Sequence, residues 1–157
     1  MKVKICSNLI ITLAVILFAS CDKSNETDVV FNFQREGGWI GISENLKISA
    51  NSTHYSISYH EFGSWELKSY EITIKTSDEQ WNNLTRAFDL KTFTKIKDGS
   101  CRACVDGYDE TFSFIKVDKT YSIYNGDADE NFKQMQGFFD LIYEQIENFE
   151  IIAGFRE

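Results

Sequence analysis

Asp129-Glu130-Asn131-Phe132-Lys133-Gln134-Met135-Gln136-Gly137-Phe138-Phe139-Asp140-Leu141-Ile142-Tyr143-Glu144-Gln145-Ile146-Glu147-Asn148-Phe149 is the stretch that decides the fold. Phe132, Met135, Phe139, Ile142, Ile146 and Phe149 recur at intervals of 3, 4, 3, 4 and 3. That is the period of an amphipathic α-helix with one apolar stripe. The reading is a single C-terminal helix of about five turns, entered through the acids between Asp127 and Glu130, which suit the positive end of the helix dipole. The repeat is too short for a coiled-coil seam and reads as core packing. On this pattern Phe138 lies beside the buried stripe, not in it. Such a helix needs a surface to bury its stripe.

That surface is written upstream with period two. Val29, Phe31 and Phe33 alternate with Val30, Asn32 and Gln34, which predicts a half-buried strand. A short strand follows at Leu46 and Ile48, then one in which Tyr55, Ile57 and Tyr59 alternate with His54, Ser56, Ser58 and His60. Tyr70, Ile72 and Ile74 make the next. Ser77-Asp78-Glu79-Gln80 has the form of a capping box and opens a short helix carrying Trp81, Leu84 and Phe88. Phe112, Phe114 and Val117 predict a strand that returns, after a turn at Asp118-Lys119, through Tyr121 and Ile123. Trp65 and Trp81 are assigned to the core. The order is four strands, helix, hairpin, helix. It predicts an α+β two-layer sandwich with a mainly antiparallel sheet, a short middle helix and a long C-terminal helix.

The composition fits one folded domain. Aromatics make up 15% of 157 residues, which excludes a chain disordered throughout. The formal net charge is −8, which argues against nucleic acid as a partner, because that affinity rests on Lys and Arg neutralising phosphates. The chain has no proline, so Gly, Asn, Asp and Ser must set its turns.

Residues 1–20 read as an address. Lys2 and Lys4 precede an apolar run from Leu9 to Ala19 that is too short to span a bilayer and has the length of a signal peptide. Its end, Leu17-Phe18-Ala19-Ser20-Cys21, resembles the lipobox of bacterial lipoproteins, with an ordinary secretory signal and a chance cysteine as the rival reading. The resemblance implies cleavage before Cys21, lipidation of Cys21, and membrane attachment in the bacterial cell envelope. Losing Lys2 and Lys4 takes the charge from −8 to −10. The domains follow: 1–20 signal, 21–28 lipidated cysteine and polar tether, 29–157 a single α+β domain. In an exported protein Cys101 and Cys104 read as a small-loop disulfide, with a metal site or a redox motif as rivals. A zinc site needs two further ligands, and His54 and His60 lie ~20 Å apart along one strand.

Arg35-Glu36-Gly37-Gly38-Trp39-Ile40-Gly41 after a strand, the amphipathic helix from Leu84 to Phe93, and Asp106-Gly107-Tyr108 before a strand hairpin and C-terminal helix occur in that order. Together they resemble the emfourin family, small bacterial proteins that include inhibitors of thermolysin-like metallopeptidases. The resemblance spans residues 29–147. It implies tight binding to an exported protease and no catalysis. The chain departs from the family in its lipid signal, its longer 50–75 region, the cysteine pair, and Trp39 where the family has Phe.

The residues themselves point to a binding module. No Gly-x-Ser-x-Gly, His-Glu-x-x-His or Gly-x-x-x-x-Gly-Lys pattern occurs. The expectation is a chain that is not an enzyme, with no catalytic residue, cofactor or resident metal. Asp98, Asp106, Asp109 and Glu110 crowd one loop, but without the alternating carboxylates of a calcium loop. Trp39, flanked by Gly37, Gly38 and Gly41, is the candidate binding residue if it projects from the loop, since exposed aromatics anchor interfaces; the rival reading has it plug the core beside Ile40. An alternative is an immunity-type or scaffold lipoprotein that uses its acidic charge to hold a basic protein partner.

Overall fold

A computed structural model describes residues 29–39 and 41–154, so the signal, Cys21 and the tether lie outside the described residues. The strands are β1 (Val29–Gly37), β2 (Ile42–Ser49), β3 (Thr53–His60), β4 (Leu67–Ile74), β5 (Tyr108–Lys116) and β6 (Lys119–Tyr124). They form one six-stranded antiparallel sheet in the order β4-β3-β2-β1-β5-β6. The helices are α1 (Asp78–Ala87), α2 (Leu90–Phe93), α3 (Glu130–Gln134) and α4 (Gln136–Ile152). The fold is α+β, as the periodicities require.

Register explains the core. Phe33 stands opposite Leu46 on β2 and Phe112 on β5, and Phe31 stands opposite Ile48 and Phe114. Period two sends these six side chains to one face, where all are buried. The α4 residues meet that face. Phe139 lies edge-on to Phe112, Tyr143 to Phe33, and Phe149 stacks on Tyr55. Ser77 caps α1 by accepting a hydrogen bond from the Gln80 amide, which is half of a capping box; the Gln80 side chain does not reach back but donates to Gln145 and Thr53. Asp89 likewise caps α2 through the amides of Lys91 and Thr92.

Several expectations are corrected. The C-terminal helix is two: Met135 departs from helical geometry between α3 and α4. The bend lets the rings of Phe132 and Phe139 stack with centroids 3.6 Å apart. Phe138 is buried, because it fills the space between Phe31 on the sheet and Phe88 after α1, 5.2 and 5.1 Å away. Val117 belongs to the β5–β6 turn at φ 52° and is exposed, not a strand residue. Trp81 is buried, but Trp65 is exposed, since it sits in the β3–β4 loop beyond the reach of the core. β1 and β2 also run to Gly37 and from Ile42, longer than the alternation alone indicates.

Candidate functional site

One end of the sheet gathers three connections. Gly37 pairs with Ile42 and with Tyr108, and His60 pairs with Leu67. The β1–β2 turn, the β3–β4 loop and the cysteine loop before β5 therefore sit side by side. The exposed aromatics collect on them. Trp39 is 72% exposed, Phe62 85% and Trp65 64%, and Leu67, Val105 and Tyr108 are exposed beside them. Isolated exposed apolar residues are ordinary; several on neighbouring connections are less so. Sequence reasoning singled out Trp39 and missed Phe62. The signal was Glu61-Phe62-Gly63-Ser64-Trp65 itself: large rings inside a turn of Gly and Ser have no strand to carry them inward.

The glycines also have a local structural task. Gly37 and Gly38 have φ of 117° and 75°, and Gly41 has 61°. A Cβ on Gly37 would lie 2.8 Å from the Gly107 carbonyl oxygen and 2.9 Å from Cβ of Ala103. One on Gly38 would lie 2.9 Å from Cζ of Tyr108. At Gly37 and Gly38 the close approach is made by the cysteine loop and by Tyr108 at the start of β5, whereas among the described residues an added Cβ on Gly41 has only the His60 ring nearby, at 3.5 Å. The Gly38 amide donates to the Gly107 carbonyl, locking the two segments together. Of the predicted set, Trp39 and Gly41 are exposed. Ile40 lies outside the described residues.

The cysteine loop is held on every side. Cys101 and Cys104 are at disulfide distance, with Cα atoms 5.7 Å apart, and Cys104 sits in a short 3-10 turn from Ala103 to Val105. Asp109 Oδ1 accepts from the amides of Arg102 and Ala103 and from the Asn125 amide group, at 2.7, 3.2 and 2.8 Å. Hydrogen bonds from Tyr124, then from Arg102 and Asn125, hold the Asp109 carboxyl well below its ordinary range. Asn125 also donates to the Ser100 carbonyl and accepts from the Glu110 amide. Asp98 accepts from the Tyr124 amide, and Arg102 pairs with Asp127. These acids answer donors of the chain itself. Among the described residues no group of three or more His, Cys, Asp and Glu is placed to hold a metal ion. His54 bonds Thr73 and His60 bonds the Trp65 carbonyl, each on the face away from the core.

Beneath the exposed end lies a charged network that the sequence did not announce. Arg35 continues the inward side of β1 and meets Glu44 of β2 at 2.8 Å, Glu110 of β5 at 3.0 Å and Glu150 of α4 at 3.6 Å. Tyr55 donates to Glu44 at 2.6 Å and Tyr143 donates to Glu110 at 2.7 Å. Burial raises the Glu44 carboxyl despite Tyr55 and Arg35, and burial first, then Glu44 or Glu110, raises both phenols far above their usual range. Glu44 is shut off from solvent, and the network ties the base of the loops to α4. A shallow depression of about 480 Å³ opens beside it on the outer face, lined by Gln34, Glu36, Gly37, Ala103, Asp109, Thr111 and Tyr124. The chain matches none of the protein-family models, and no curated protein is similar to it in sequence.

Proposed function

We propose that this chain is a lipid-anchored protein of the bacterial cell envelope, held through Cys21, that acts as a non-catalytic binding module. Its aromatic end takes a protein partner. The emfourin resemblance names an exported thermolysin-like metallopeptidase, inhibited by occlusion of its cleft. The observation that carries the reading is the grouping of Trp39, Phe62, Trp65, Val105 and Tyr108, all exposed, on three adjoining connections. Large aromatics on a held loop lose little entropy on binding and often contribute ~2 kcal/mol or more each. In the same reading the two layers, helices against one face of the sheet, form the rigid platform for those loops.

The test is a titration of residues 22–157 into several thermolysin-like enzymes while peptide hydrolysis is followed. Inhibition at micromolar concentration is expected, with Trp39→Ala weakening it at least ~30-fold at unchanged melting temperature. No inhibition of any such enzyme would reject the protease reading. The second reading, a scaffold or immunity protein for a basic partner, draws on the charge of the same end: the segments 36–41, 61–67 and 101–108 carry four carboxylates and one arginine. It expects capture of a basic protein that is lost steeply with added salt.

A further inference from the structure

We infer that the aromatic end points away from the membrane that holds the anchor, and that it takes a protein surface combining an apolar patch with basic side chains, not a lipid surface. The orientation rests on the lipid-anchor reading; the partner chemistry rests on the described residues alone.

Val29 opens β1 opposite Lys116, next to the β5–β6 turn, whereas Gly37 closes it opposite Tyr108 at the aromatic end. Nine residues of strand separate the two ends, or ~27 Å. An anchor at Cys21 therefore enters the domain at the end remote from Trp39, Phe62 and Trp65. From Cys21 to Asp28 there are eight residues, whose contour is at most ~29 Å. That barely equals the length of β1. The aromatic end can touch the anchoring membrane only if the sheet lies down along it or the tether doubles back over nearly its whole contour.

Charge points the same way. Interfacial segments that seat on lipid join aromatics to Lys and Arg, which are drawn to anionic headgroups. Here the aromatics stand among Glu36, Glu61, Glu66 and Asp106. The nearby cations are engaged: Lys68 by Glu61 and Glu66, Arg102 by Asp127. An anionic surface is repelled by such a rim, while a basic one is drawn to it.

Two measurements test this. The full lipidated chain is placed in vesicles of phosphatidylcholine and phosphatidylglycerol, with or without brominated acyl chains, and tryptophan emission is read. Trp81 is buried and serves as the shielded reference. Iodide is expected to quench Trp39 and Trp65 to the same extent with and without vesicles, and brominated lipid to leave them unchanged. Quenching by brominated lipid that disappears in the Trp39→Phe/Trp65→Phe double variant would overturn the orientation. The second probe is a pair of peptides, acetyl-Lys-Phe-Lys-Leu-Lys-amide and its Glu counterpart. The Lys peptide should bind at least tenfold tighter at low salt, with the gap closing at 0.5 M salt. Equal binding, or preference for the Glu peptide, would overturn the partner chemistry. Full membrane partitioning of Cys21→Ala would reject the anchor, and with it the orientation. The peptide result is read independently of that outcome.

Discussion

Val117 stands at φ 52° in the turn between β5 and β6, 60% exposed and outside the core. A β-branched residue in that region costs ~1–2 kcal/mol, which a glycine does not incur. Val117→Gly gives back part of this in unfolded-state entropy. It should therefore stabilise by up to ~1 kcal/mol, a rise of a few degrees in Tm by differential scanning calorimetry. Gly38 gives the opposite case. An added Cβ meets the Tyr108 ring and a positive φ together, so Gly38→Ala should cost ~2 kcal/mol or more. It should also release the cysteine loop, seen as faster amide exchange at Gly107 and Tyr108. A shift in exchange confined to residues 37–41 would refute the coupling. At this scale the sequence exposed the residue types but not their targets. Two adjacent glycines announced a close approach; that Tyr108 is the group beside Gly38 depends on the pairing of β1 with β5 seventy residues later.

Among the elements, α4 shows what periodicity reads and where it stops. The stripe Phe139, Ile142, Ile146 and Phe149 is buried as the spacing demands. Phe138 is buried too, because the helix touches the sheet on one side and Phe88 on the other, so its covered arc is wider than one stripe. A heptad pattern carries no information about a second neighbour. Phe138→Ala and Phe139→Ala should each lose ~3–5 kcal/mol by urea denaturation, a large share of a typical stability. A loss below ~1 kcal/mol at Phe138 would restore the single-stripe view. The strands were legible because a sheet with one covered face writes its alternation into the sequence. The break at Met135 was not, because Met135 itself keeps the apolar period and is buried. The exposed Trp65 escaped for a related reason: tryptophan is apolar enough to be assigned inward wherever the local turn is not weighed against it.

Taken whole, the molecule places three carboxylates from β2, β5 and α4 around the single guanidinium of Arg35, where β1 and the end of α4 converge under the aromatic end. Alternation predicts an apolar side chain at Arg35, in step with Phe31 and Phe33; the chain instead crosses its sheet end with a charge network that ties four elements together. Removing the cation leaves the acids facing one another, so Arg35→Met should cost ~3 kcal/mol or more at pH 7 by urea denaturation. The pH dependence has two limbs of opposite sign. The Asp109, Asp89 and Asp129 carboxyls are lowered, chiefly by hydrogen bonds from Tyr124, Thr92 and Asn131 respectively. Their contribution is present above the unfolded carboxyl value, ~3.9, and is lost as pH falls through their folded values. The Glu44 carboxyl is raised by burial. The folded state then holds its proton more tightly than the unfolded chain, so its contribution is full below the unfolded value, ~4.3, and is lost as pH rises through the folded one. Stability should therefore peak in mildly acidic solution and decline toward neutrality. Glu44→Gln keeps an oxygen for the Tyr55 hydroxyl and removes the titration. It should flatten the upper limb while leaving the acid limb intact. Thermal melts from pH 3 to 8 on both proteins decide the matter: parallel curves above pH 5 would mean that Glu44 does not carry the decline.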